Sequence, residues 1–193
     1  GEIKADILQR NDGHIALNRR KELDVDKDQV IKDFKEENTG FSVDNLETKN
    51  LENTSLQLEE HITGTIADKI TLAGDMMYFN PCLYERYDEN PFKIEKREYP
   101  ADFGYPWENK ITQTFVIPRG WQVESLPAAL TIKLPDNEGK FIYSIQSIGD
   151  KIIFNQVFSI LNPLFLPDKY LILKEFFKQV VDKQEEQIVL KKI

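Results

Sequence analysis

The stretch that decides the fold is residues 140–160, "KFIYSIQSIGDKIIFNQVFSI". Two segments of about ten residues flank Gly149-Asp150, a two-residue hairpin signal. Phe141, Tyr143 and Ile145 fall at every second position, and Ile152, Phe154 and Phe158 share one face of the returning segment. Period-two alternation of this kind places one set of side chains on a buried sheet face. The stretch therefore reads as an antiparallel hairpin.

Working outward, "WQVES" (121–125) puts Trp121 and Val123 opposite Gln122 and Glu124, and "LTIKL" (130–134) alternates in the same way. With "ITQTFVI" (111–117) these segments make an antiparallel meander or half of a sandwich. Pro167 then opens a helix that runs to about Gln184, with Leu173, Phe176, Phe177, Val180 and Val181 as its apolar stripe. So apolar a helix must cover a sheet. "QIVLKK" (187–192) closes the chain as a last strand.

Towards the N-terminus, "IKADILQ" (3–9) and "HIALNRRKE" (14–22) read as strands joined through Asn11-Asp12-Gly13, which tolerates positive φ. A helix is expected at about Asp26–Glu37, capped by Asp24 or Asp26, with Val30, Ile31 and Phe34 buried and Gly40 just past its end. "FSVDNLET", "SLQLEEHIT", "KITLAG" and "DMMYFN" read as short strands. Between Pro81 and Pro106 four prolines recur among acidic and aromatic residues. Proline supplies no ladder donor and restricts its predecessor, so this reads as an extended connector on the surface. The expected class is α+β, mainly antiparallel: two β units, sandwich-like or meander, each with one helix, joined by the Pro/aromatic connector. The soft boundary divides residues 1–89 from residues 90–193.

Composition narrows the function. The chain has 193 residues, of which 40% are hydrophobic and 30% charged, enough to bury a core. A net charge of −8 with dispersed Lys and Arg gives no electrostatic footprint for nucleic acid or anionic lipid. No run is long enough to span a membrane. Cys82 is the only cysteine, so neither an internal disulfide nor a cysteine zinc site can form. Gly1, directly ahead of a strand-like segment, reads as the start of a piece cut from a longer precursor, which makes the missing signal peptide uninformative.

No constellation stands out for catalysis. "DVDKD" (24–28) starts like a calcium loop, but that loop requires Gly at its sixth position and Glu at its twelfth, and Gln29 and Lys35 stand there. Its acids read as helix caps. His14 and His61 have no partner at metal-ligand spacing, and no basic neighbour or helix N-terminus activates Cys82. There is no phosphate loop, no nucleophile elbow and no singled-out carboxylate pair. The sequence thus nominates no catalytic residue, metal ligand or cofactor. What remains is "REYPADFGYPWENK" (97–110), whose Tyr99, Phe103, Tyr105 and Trp107 either stack on sugar rings or a Pro-rich peptide, or pin the connector onto the sheets.

The connector also carries a resemblance. Asn90-Pro91-Phe92, followed by Arg97, Tyr99, Pro100, Phe103, Gly104, Tyr105 and Pro106, resembles the C-terminal domain of unknown function that follows the transglutaminase-like core in large exported proteins of Bacteroidetes. Ala101 replaces the usual small β-branched residue. Ile117, Pro118, Gly120, Trp121, Val123, Leu126 and Pro127 are similar to a second family motif, and "LKEFF" with "QIVLKK" to its ending. The close resemblance covers residues 90–193, and "LAGDMMYFNP" resembles the region that links the core to that domain.

This resemblance implies a longer protein with a β-rich N-terminal domain, then a papain-like core with a Cys-His-Asp triad upstream of residue 1, then this module. It implies an extracytoplasmic setting: periplasmic, outer-membrane-associated or secreted. Cys82 does not match the core nucleophile. The function expected is a non-catalytic accessory module that supports or orients the upstream domains of its own polypeptide, with an apolar face or edge left exposed when it stands alone. The alternative is a module that binds glycan or cell-surface peptide through the connector rings.

Overall fold

The computed structural model describes residues 2–38, 40–83 and 86–193; Gly1, Thr39 and, within the expected connector, Tyr84 and Glu85 lie outside the described residues. The chain runs β1 (Ile3–Asn11), α1 (Gly13–Val25), α2 (Lys27–Glu37), β2 (Phe41–Lys49), β3 (Leu58–Ile66), β4 (Ile70–Ala73) and β5 (Met76–Phe79). After the connector come β6 (Ala101–Asp102), β7 (Trp107–Val116), β8 (Trp121–Ser125), β9 (Leu130–Lys133), β10 (Gly139–Ile148), β11 (Lys151–Ile160) and β12 (Leu164–Phe165). Helix α3 (Tyr170–Gln184) and β13 (Ile188–Lys192) end it. The class is α+β with antiparallel sheets, as the alternation implied.

The 140–160 stretch folds as read. Strands β10 and β11 pair in register from Gly139↔Ile160 to Ile148↔Lys151, and Gly149 turns the corner at φ +61. This hairpin sits in a seven-stranded sheet of order β2-β3-β1-β7-β11-β10-β9. Strand β1 pairs with both β3 and β7, so the sheet takes strands from before and after the connector. A second sheet, β4-β5-β13-β8, mixes the two ends of the chain in the same way, and β6 pairs with β12 in a small third ladder.

One reading is corrected. Residues 14–22 are not a strand but part of α1. Asn11-Asp12-Gly13 does supply a positive φ, at Gly13, but it opens a helix: Asp12 Oδ1 accepts the Gly13 N–H at 2.7 Å. The run is rich in strong helix formers, Ala, Leu, Arg, Lys and Glu. Ala16, Arg20 and Leu23, spaced by four and three, face inward. Arg20 is held by backbone carbonyls, at 2.7 Å from Leu56 O and 3.2 Å from Asn53 O. Two helices therefore precede the connector where one was expected. Helix α2 is as read: Asp26 Oδ1 caps the Gln29 N–H at 2.9 Å, and Val30 and Phe34 are buried.

One face of the large sheet is covered by two separate groups. Helices α1 and α2 pack over β2, β3 and β1, where Phe34 meets Phe41 edge-on at 5.3 Å. Helix α3 and the second sheet pack over β7, β11 and β10: Phe79 meets Phe115 at 5.3 Å, and Phe177 meets Phe158 at 5.5 Å. The central strands β1 and β7 lie where the two covers meet.

Candidate ligand cleft between the two covers

The connector is a structural strap over α3. Asn80 Nδ2 donates to Gln184 O at 2.7 Å, its Oδ1 accepts the Cys82 N–H, and Gln184 Oε1 accepts the Tyr87 N–H at 2.9 Å. The chain then runs back along the helix. Asn90 Nδ2 donates to Lys174 O at 2.8 Å while its Oδ1 accepts the Phe92 N–H, a local turn that aims Phe92 inward. Phe92 meets Phe177 at 5.0 Å, Tyr170 at 5.9 Å and Phe103 at 6.1 Å. Tyr170 Oη donates to Ile94 O at 2.8 Å. The Asn-Pro-Phe step is thus a clasp between connector and helix.

The four connector rings do not form one platform. Phe103 is packed among Phe92, Phe165 and Phe177. Tyr99 is 78% exposed. Trp107, at the start of β7, meets Phe158 edge-on at 4.9 Å. Tyr105 stacks on His14 at 4.6 Å and 27°, against the start of α1. Phe103 therefore serves packing, while Tyr105 and Trp107 border open space.

That space is a cleft of about 820 Å³ where the two covers part. Helix α1 contributes Asn18 and Arg19, β1 contributes Asn11, and the strap contributes Asn80, Arg86 and Tyr105. Lys69 and Gln187 also border it. A smaller cavity of about 250 Å³ adjoins through Arg86 and is bordered by Trp107, Asn109 and Gln156.

Beneath lies a row of buried polar side chains on the inner sheet face. Gln9 and Asn11 of β1, Asn109 and Gln113 of β7, and Gln156 of β11 occupy inward positions among Ile7, Ile111, Phe115 and Phe154. Asn11 stands opposite Asn109 across the β1–β7 ladder. Asn11 Oδ1 accepts from Gln9 Nε2 at 3.4 Å and from Asn109 Nδ2 at 3.3 Å. Gln156 Oε1 accepts from Gln184 Nε2 at 2.9 Å. Deeper in the row, neither side-chain atom of the fully buried Gln113 has a partner among the described residues.

Charges around the cleft are largely paired. Arg19 Nε lies 3.0 and 3.1 Å from the two oxygens of the fully buried Glu60, and its Nη1 lies 3.1 Å from Glu22. Burial raises the Glu60 pKa, with Arg19 opposing the rise. Arg86 pairs with Asp88 at the rim. Lys69 has its pKa lowered, first by burial and then by the neighbouring Arg86.

Cys82 lies against the same row, its Sγ 3.9 Å from Gln156 Oε1. Burial pushes its thiol up to about 12, which removes the thiolate needed for nucleophilic attack near neutral pH. His61 Nε2 lies 2.8 Å from Asp6 on the exposed side of the sheet, away from the cleft. No three His, Cys, Asp or Glu side chains among the described residues are grouped to hold a metal ion, and none of the described helices is long and apolar enough to cross a membrane.

The amide row was missed in the sequence. Its only signal there is a polar residue at an inward period-two position, as at Gln113 in "ITQTFVI" and Gln156 in "KIIFNQVFSI".

The model of a domain of unknown function, DUF3858, matches residues 75–190, and the chain belongs to that family. The match begins ahead of β5, earlier than the Asn90 expected, and β5 pairs with β13 near the other end of the matched region. No curated protein and no solved structure is significantly similar to the chain.

Proposed function

We propose that the chain is a non-catalytic accessory module of a larger exported transglutaminase-like protein and that it docks against the upstream domains of its own polypeptide. The observation that carries this reading is an exposed apolar groove at the edge of the large sheet. Strand β9 is the last strand of that sheet; its Ile132, with Leu134 just past its end, borders with Leu171, Ile172 and Phe176 of α3 an open groove of about 430 Å³, which Lys133, Glu175 and Gln179 also line. Leu171 is 64% and Ile172 47% exposed, and Leu164 and Leu166 add exposed apolar surface on the approach to the helix. A cluster of this kind at an unpaired strand edge suits an intramolecular partner.

The clasped connector supports the same role. Phe92, Phe103 and the amides of Asn80 and Asn90 tie the connector to α3, the helix that forms one wall of the groove. The buried, unreactive Cys82 supports placing any cysteine chemistry outside residues 1–193.

The test is association in trans. The separately purified upstream transglutaminase-like domain is titrated into this module and into a Leu171→Asp, Ile172→Asp variant. The reading requires association with the native module and its loss in the variant. Equal behaviour of the two proteins, or no association at all, defeats it.

A further inference from the structure

We infer that the cleft between the two covers is a binding site for a neutral oligosaccharide. Five side-chain amides line it: Asn11, Asn18, Asn38, Asn80 and Gln187. An amide offers both a donor and an acceptor, which matches a sugar hydroxyl, itself both donor and acceptor. Among the described residues, three cations (Arg19, Lys69, Arg86) face three anions (Glu22, Glu37, Asp88) around the opening, a balance that favours a neutral ligand. Arg19 and Arg86 are moreover engaged by Glu60, Glu22 and Asp88.

Some of these amides are already committed to structure. Asn38 Nδ2 donates to Phe34 O at 3.0 Å, and Asn80 clasps Gln184 and Cys82. Others are available to a ligand. The side chains of Asn18 and Gln187 are exposed and make no hydrogen bond to a described residue, and the side chain of Asn11 uses only its Oδ1. They come from α1, the segment before β13, and β1, so they converge on the cleft from three sides.

Tyr105 adds the ring that such sites use against the apolar face of a sugar. His14 holds that ring in place by stacking at 4.6 Å. Trp107 lies two residues further along, at the start of β7, and borders the smaller cavity, which shares Arg86 with the main cleft. At about 820 Å³ the main cleft lies within the usual range of small-molecule sites, a few hundred to about a thousand Å³.

A peptide is the less suitable occupant. Extended peptides commonly add to an open sheet edge, and the floor strands β1 and β7 are each paired on both sides, β1 by β3 and β7, β7 by β1 and β11. The site is independent of the apolar groove, which lies at the far edge of the sheet beside β9.

The test applies an array of neutral oligosaccharides, acidic oligosaccharides and Pro-rich peptides to the intact module, followed by calorimetric titration of those that bind. The expected result is binding confined to neutral oligosaccharides. Tyr105→Ala and the Asn18→Ala, Gln187→Ala pair should each weaken it about tenfold or more. Tyr99→Ala, an exposed ring away from the cleft, should bind like the native protein, and all variants should keep the native circular dichroism. Absence of oligosaccharide binding at millimolar concentration overturns the inference. So does binding restricted to acidic glycans or peptides, or native affinity in the cleft variants.

Discussion

Replacing Gln113 with leucine should make this protein more stable. Gln113 is fully buried, and neither its Nε2 nor its Oε1 finds a partner among the described residues. Its cross-strand neighbours are Ile7 and Phe154, and Ile111 and Phe115 flank it on the same face of β7. An unpaired buried amide costs about 1–3 kcal/mol, judged from substitutions in proteins. Leucine has nearly the same bulk, suits the apolar surroundings and leaves no polar atom behind. Gln113→Leu should therefore raise the unfolding free energy by about 1–3 kcal/mol. For a chain of this size each kcal/mol corresponds to about 2–4 °C in Tm. Urea denaturation with an unchanged m-value, alongside calorimetry, would measure both quantities. A lowered Tm, or a loss of more than about 1 kcal/mol, would mean instead that the amide is satisfied in the native state.

Other outcomes follow from the same packing and charges. Phe92→Ala removes the ring that clasps connector to α3 and should cost about 3–5 kcal/mol in chemical denaturation, whereas Tyr99→Ala, with its ring in solvent, should change stability by less than about 0.5 kcal/mol. Glu138 is pulled in two directions: burial pushes its pKa up, but hydrogen bonds from Lys169 at 2.5 Å and Asn162 at 2.8 Å outweigh that and hold it below the ordinary 4.5. Its stabilising contribution is then present above the unfolded-state pKa and lost as pH falls through the lowered folded-state value. Glu138→Gln should accordingly lower Tm at neutral pH, and the difference from the native protein should shrink under strongly acidic conditions. With its thiol pushed up to about 12, Cys82 should react slowly with a thiol reagent at pH 8 in the native protein and quickly once urea unfolds it.

Much of the fold could be read from residue spacing, because its signals are local. The 140–160 hairpin declares itself through alternation and Gly149-Asp150, and α3 through the stripe from Leu173 to Val181. Helix α1 was hidden for an equally physical reason. Its buried face holds Ala16, Arg20 and Leu23, so a charged residue stands where an apolar one would mark the stripe, and Asn-Asp-Gly before it imitates a hairpin turn. The cleft was less legible still. Asn11, Asn18, Asn80, Arg86 and Tyr105 are spread over nearly a hundred positions and meet only because β1 pairs with β7 and the strap crosses α3. Of the four connector rings, sequence could not separate Phe103, locked among Phe92, Phe165 and Phe177, from Tyr105 and Trp107 beside open space. That difference rests on α3, which arrives more than sixty residues later in the chain.

The docking role is tested most directly in the intact polypeptide. Hydroxyl-radical footprinting would compare side-chain oxidation of Leu164, Leu166, Leu171 and Ile172 in the isolated module with that in the full-length protein. Strong oxidation of these four residues is expected in the module and marked protection in the full-length protein, with Ile148, exposed at the end of the β10–β11 hairpin, equally reactive in both. Equal oxidation of Leu171 and Ile172 in the groove, and of Leu164 and Leu166 before the helix, in both proteins would overturn the docking role.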